Sequence, residues 1–153
     1  MVEGDLVIFD VGCELDHYVS DVGRTFPISG SFSPEQARAL AMQRRVADAI
    51  IAAIRPGITL ADATRAGVAA MPPEARPYMQ TGSFYSHHLG LSTGDPVLTD
   101  EPLEAGMVFT VEPWYYNHDA GISVFVEDMI LVTEDGAEVL TSSLPRTAEG
   151  LAG

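Results

Sequence analysis

The chain has 153 residues, and its 46% apolar content is enough for one core and excludes a disordered segment. Eight Lys and Arg against 22 Asp and Glu leave a net charge of −14. That excludes nucleic-acid binding by phosphate neutralisation and disfavours anionic membrane surfaces, leaving cations, cationic peptides or small polar molecules as partners.

The lone cysteine, Cys13, excludes an internal disulfide and fits a reducing compartment. No run approaches the ~20 apolar residues of a membrane span. Met1-Val2-Glu3-Gly4-Asp5 does not read as an export signal, so the expected location is the cytoplasm.

In chain order, Leu6-Val7-Ile8-Phe9-Asp10 predicts a strand, residues 12–18 a turn region, and residues 21–28 a second strand returning antiparallel to the first. Ser33-Pro34-Glu35-Gln36 opens a helix: Ser33 can cap, Pro34 suits the first turn, and Gln36 can close a capping box. Apolar residues then recur at helical spacing through Ile54, and Arg55-Pro56-Gly57 stops the helix. Thr59 and Asp62 start a shorter helix to about Ala70. Residues 71–86 are loop-rich. Residues 106–112 predict a strand ended by Pro113, residues 121–133 the longest strand, and Glu134-Asp135-Gly136 a turn into a last strand at 137–140. The expected organisation is one domain over 1–141 and a frayed tail over 142–153, in an α+β fold with an antiparallel or mixed sheet.

The anomaly is acid inside apolar strands. Asp10 ends the first strand, Glu112 ends the strand over 106–112, and Glu127 sits within the run over 121–133, on a face with Phe125 and Met129. Burying an unpaired carboxylate costs several kcal/mol, and eight basic residues cannot neutralise many acids. The hairpin reading brings Asp10 and Asp21 together at one end of a ladder, where two carboxylates share a proton or hold a cation. His87, in a short apolar stretch, offers one nitrogen ligand. Asp10, Asp21, Glu112 and Glu127 carry four negative charges, which two divalent cations would balance. Oxygen-rich coordination with one imidazole suits Mn²⁺, Fe²⁺, Co²⁺ or Zn²⁺ better than it suits a structural zinc site. Taken singly, each of these acids also reads as a turn, cap or strand-end residue, and His87 as a structural histidine.

Taken in order, these segments resemble the pita-bread metallopeptidases, the family of methionine aminopeptidase, Xaa-Pro aminopeptidase and prolidase, on the prolyl-peptidase side. Gly4-Asp5-Leu6-Val7-Ile8-Phe9-Asp10-Val11-Gly12 is similar to the family's Gly-Asp-…-Asp-Ala-Gly strand, and Tyr18-Val19-Ser20-Asp21-Val22-Gly23-Arg24-Thr25 to its Tyr-…-Asp-…-Arg-Thr segment. Ser86-His87-His88-Leu89-Gly90 resembles the histidine motif, Thr110-Val111-Glu112-Pro113 and Val126-Glu127-Asp128 the two glutamate motifs, and residues 132–141 the closing hairpin. The resemblance implies a pita-bread fold with Asp10, Asp21, His87, Glu112 and Glu127 as ligands to two divalent ions, Mn²⁺ first among them. It also implies Glu112 as proton shuttle, and release of an N-terminal amino acid from peptides of the Xaa-Pro type.

Several positions depart from the family. Gly94 and Ser83 replace two histidines, Phe125 replaces an arginine and Trp114 a glycine. His88 therefore becomes the candidate second catalytic residue beside Glu112, with Tyr85, Tyr115 and Tyr116 as further substitutes. Two alternatives stand beside the peptidase: a metal-binding pseudoenzyme serving as an interaction module, and a metal-dependent lyase on a small zwitterionic substrate. The resemblance also implies helices of a first half that are not present before Asp10. A homodimer or a separate N-terminal half is accordingly the expected partner, covering apolar sheet surface that would otherwise be exposed.

Overall fold

The computed structural model describes residues 1–79, 86–95, 98 and 100–153. β1 (Leu6–Val11) and β4 (Val22–Pro27) form the expected antiparallel pair, in register Asp10↔Gly23 and Val11↔Val22. The turn region between them is itself a small ribbon of β2 (Glu14–Leu15) and β3 (Tyr18–Val19). Its tip, Asp16-His17, takes left-handed backbone with φ of 50° and 69°, a conformation that Asp and His tolerate better than most side chains.

α1 (Pro34–Ala53) carries the predicted capping box: the Gln36 N–H donates to Ser33 Oγ at 3.2 Å and the Ser33 N–H to Gln36 Oε1 at 2.9 Å. Leu40, Val46, Ala47 and Ile50 are buried along its inner stripe. α2 (Leu60–Ala70) starts with the same device, Thr59 and Asp62. It packs on α1 through Gly67, where an added Cβ would lie 2.5 Å from Ile50 Cγ1.

The C-terminal strands differ from the expectation in one instructive way. The run over 121–133 is two strands, β7 (Ile122–Phe125) and β8 (Asp128–Val132), with Val126-Glu127 between them. The strand over 106–112 is β5 (Val108–Val111), followed past Glu112-Pro113 by β6 (Trp114–Asn117), which periodicity did not mark. β5 pairs with β8 and β8 with β9 (Ala137–Val139), while β6 pairs with β7. Two long strands are thus interrupted at the same level, and both glutamates sit at the interruption. Pro113 has no N–H to donate, so the ladder cannot run through. The strict alternation expected to group Glu127 with Phe125 and Met129 ends there, and Phe125, Val126, Glu127 and Asp128 are all buried.

The C-terminal tail packs against the rest of the chain. Arg146 is ion-paired with Asp128, Nε to Oδ2 at 2.6 Å, and with Asp48, Nη1 to Oδ1 at 2.9 Å. The short α3 (Ala148–Leu151) then lays Leu151, 2% exposed, on the core. What holds this end is a guanidinium that meets a buried carboxylate, a pairing invisible to local pattern. We expect Leu151→Ala to cost about 2–4 kcal/mol in urea denaturation, the usual range for truncating a buried leucine. A change below about 0.5 kcal/mol would mark the tail as loosely held.

Candidate metal centre

Five chain segments converge on one point. Asp10 lies in β1 and Asp21 immediately before β4. Glu112 follows β5, Glu127 precedes β8, and His87 lies on a segment that runs beside β5. The Leu89 N–H donates to the Val108 carbonyl at 3.0 Å and the Thr110 N–H to the His87 carbonyl at 2.9 Å, so the histidine segment docks on β5 like a short extra strand.

Asp21, His87 and Glu127 each present one ligand atom, all within 4.8 Å of one another. His87 Nε2 stands 3.0 Å from Glu112 Oε1 and 3.8 Å from Asp21 Oδ2. Asp10 stands close enough to Asp21 and Glu127 to act on the titration of both. All five residues singled out in the sequence therefore meet. Their burial is graded, with Asp10 exposed, Asp21, His87 and Glu112 partly buried, and Glu127 1% exposed. Of these acids, only Glu127 is fully buried.

Neighbouring groups fix the orientation of each side chain. His87 Nδ1 faces the His88 carbonyl at 3.1 Å, which as an acceptor requires a proton on Nδ1 and turns Nε2 to the carboxylates. The Thr110 hydroxyl donates to Glu112 Oε1 at 2.8 Å and accepts the His87 N–H at 3.1 Å, tying the histidine to the glutamate. The Glu127 N–H donates to the Gly23 carbonyl at 2.9 Å. The Arg24 guanidinium donates to the Glu127 carbonyl and to Asp128 Oδ1, the latter at 2.8 Å. The Gln43 amide, fully buried in α1, donates to the carbonyls of Pro113 at 2.6 Å and Val126 at 2.9 Å. Thr110 and Arg24 lay within the sequence motifs but drew attention only as spacing. Gln43 gave no signal, because a polar residue on a helix is ordinarily solvent-facing.

The electrostatics are those of an acid cluster short of positive charge. Burial, followed by the like charges of Glu112, Asp21 and Asp10, pushes the Glu127 carboxyl up to about 9. Burial and then Asp10 push Asp21 up to about 6. The hydrogen bond to Glu112 raises His87 despite its burial. Glu127 Oε2 is buried with no hydrogen-bond partner among the described residues. An orphaned buried carboxylate oxygen facing three more acids and one imidazole nitrogen is a donor set that fits hard or borderline divalent cations.

His88 lies off the acid cluster. Its ring stands edge-on to Phe109 with centroids 6.0 Å apart, and the acids acting on it are Asp95 and Glu101 rather than the four clustered ones. Adjacent residues in an extended segment point to opposite sides, so seating His87 in the cluster turns His88 away. Gly94 is exposed. Ser83 and Tyr85 lie outside the described residues. Trp114 and Phe125, the two aromatic departures, are a single feature: they are cross-strand partners, stacked with centroids 4.1 Å apart. The Phe125 ring covers Gly23, where an added Cβ would come within 2.0 Å of Phe125 Cε1.

An antiparallel α+β framework that gathers four carboxylates and an imidazole from separate strands defines a domain of the metallopeptidase class. The chain belongs to metallopeptidase family M24, whose family model matches residues 1–134. It is 34% identical to the mitochondrial intermediate cleaving peptidase 55 of Arabidopsis thaliana over 164 residues, covering 94% of this chain and 33% of that protein. It is 31% identical to the Xaa-Pro aminopeptidase of Escherichia coli K12 over 180 residues, covering 97% of this chain and 40% of that one. A histidine-to-alanine variant of Escherichia coli aminopeptidase P superposes with a TM-score of 0.82 at 31% identity, over 99% of this chain and 41% of the other. These likenesses establish the pita-bread fold. The chain spans about a third to two-fifths of the length of the relatives it matches.

The cluster makes a prediction with a definite sign. Glu127 and Asp21 have folded-state pKa values above their ordinary ones, so each costs the folded protein more stability as pH rises toward those values. His87, also raised, contributes stability at low pH that is lost as pH rises. All three therefore act in one direction, and the chelator-treated protein should have a lower Tm at pH 8 than at pH 6. Saturating Mn²⁺ should shrink or reverse that difference. Glu127→Gln should raise the metal-free Tm at pH 8, by a free energy on the order of 1–3 kcal/mol. A metal-free Tm unaffected by both pH and Glu127→Gln would contradict the crowding of acids described here.

Proposed function

We propose that the protein is a metal-dependent peptidase that removes the N-terminal residue from peptides, of the Xaa-Pro type, working with two divalent ions, Mn²⁺ first among candidates. The observation that carries this reading is the meeting of Asp21, His87 and Glu127 within 4.8 Å, flanked by Glu112 and Asp10. The names of the relatives, Xaa-Pro aminopeptidase among them, supply the substrate class. Asp10, Asp21, His87, Glu112 and Glu127 would hold the ions, the four acids matching two divalent charges. Divalent ions supply Lewis acidity toward a peptide carbonyl and bring the pKa of water toward neutrality.

The chain's own contribution is to position and move protons. Glu112 is anchored by the Thr110 hydroxyl at one oxygen. That leaves a partly buried carboxylate able to take a proton from the attacking water and return it to the leaving amine. The Nδ1 bond of His87 to the His88 carbonyl keeps its other nitrogen free to ligate. Among the described residues no helix is long and apolar enough to cross a membrane, and the reading places the protein in the cytoplasm. Phe9 and Val11, 53% and 54% exposed on β1, belong to the surface that a second copy or a separate N-terminal half would cover.

A second reading is favoured by one specific observation. His88 faces away from the cluster and Gly94 offers no side chain, so no second imidazole joins the acids among the described residues. In that reading the protein takes up metal without hydrolysing peptides.

Metal analysis and assay with Xaa-Pro peptides separate these. The peptidase reading expects uptake near two ions per chain, abolished by Asp21→Ala or Glu127→Ala. It also expects Mn²⁺-dependent hydrolysis that Glu112→Gln lowers by about 10²–10⁴-fold. Uptake without hydrolysis of any Xaa-Pro peptide selects the binding-only reading. Uptake indifferent to both alanine variants rejects the ligand set.

A further inference from the structure

The two interrupted strands leave a gap. The β5–β8 ladder ends at Val111↔Asp128, and the β6–β7 ladder begins at Trp114↔Phe125. Glu112-Pro113 and Val126-Glu127 face each other between the two ladders, outside both. Backbone groups buried at such a break need other partners. On the β4 side they find them, since the Glu127 N–H reaches the Gly23 carbonyl and Arg24 reaches the Glu127 carbonyl. On the opposite side the carbonyls of Pro113 and Val126 both accept from one atom, Gln43 Nε2, at 2.6 and 2.9 Å. Because both partners are carbonyl oxygens, the atom between them must be the amide NH₂, and its two hydrogens are both used. Gln43 is 0% exposed, so no water substitutes for it. One of the bonded residues directly follows Glu112 and the other directly precedes Glu127.

We propose that Gln43 is a positioning residue for cation uptake: its amide spans the break and sets the spacing between the backbones that carry Glu112 and Glu127. The inference rests on the metal reading above. Gln43 touches neither carboxylate, so it acts only through the backbone, and its effect should appear as affinity lost at equal foldedness. Replacing it with an apolar side chain of similar length strands two buried carbonyls, which can be satisfied only if the two strands shift.

The test is Mn²⁺ titration of the chelator-treated wild-type chain, Gln43→Met, and Val46→Ala as a control. Val46 is a fully buried core residue of the same helix with no bond to the break. Titrations are run at pH 7.5, well below each Tm, with foldedness checked by near-ultraviolet circular dichroism. The expected result is a loss of about 10–100-fold in Mn²⁺ affinity for Gln43→Met, the range for groups that orient ligands from behind. Val46→Ala should lower Tm while keeping affinity within about twofold of wild type. If Gln43→Met does not fold, Gln43→Glu, which keeps the shape and loses at least one donated hydrogen, is held to the same criterion. Wild-type affinity in the folded Gln43 variant, or an equal loss in Val46→Ala, overturns the proposal and leaves the metal reading intact. Failure of the wild-type chain to bind Mn²⁺ overturns the metal reading and this inference with it.

Discussion

Placing the Glu127 carboxylate in the interior beside three other acids is the constraint around which the C-terminal half is organised. A buried carboxylate without a counter-charge is among the most expensive groups a fold can carry. Here it is 1% exposed, and one of its oxygens has no hydrogen-bond partner among the described residues. The neighbouring Asp128, equally buried, shows how the same chain neutralises an acid when it means to. Arg24 holds one oxygen at 2.8 Å, Arg146 holds the other at 2.6 Å, and the Thr141 hydroxyl donates at 2.7 Å. Two adjacent acids thus receive opposite treatment, one ion-paired with two arginines and the other left open toward more acids. A structural requirement alone would have led to the first solution at both positions.

That contrast also explains the frame. Asp128 and its two arginines tie β4, β8, α1 and the C-terminal segment into one unit, with Arg146 reaching Asp48 on the helix. Arg24 simultaneously grips the Glu127 carbonyl. The ion-paired acid therefore acts as the anchor for the unpaired one next to it. The stack of Trp114 on Phe125 on Gly23 adds an apolar tie between the strands of Glu112, Glu127 and Asp21. Such a site pays for its like charges with rigidity supplied from behind.

Much of the frame could be read from the chain because its causes are local. Ser33 with Gln36 and Thr59 with Asp62 fix helix starts by bonds three residues long, and both capping boxes are present. The β1–β4 pairing follows from two apolar runs separated by turn residues. The ligand set was legible because acids in apolar runs violate the ordinary pattern, and because their order resembles a known family. The split of residues 121–133 was not legible. Val126-Glu127 continues an apolar run without a break, and what interrupts it is Pro113 on the facing strand together with a glutamine from a helix.

By itself the sequence determined the helices, the first hairpin, the fold class and which five side chains stand out, since each depends on neighbours a few residues away or on a motif in order. Only the tertiary structure decided that the glutamates sit in a shared gap between two ladders, that His88 turns away from the acids, that Gln43 fills the gap, and that the tail is pinned by Arg146. Each of those rests on groups brought together from distant parts of the chain. Hydrogen bonds and ion pairs act only over a few ångströms, so no spacing along the chain reveals which groups will meet.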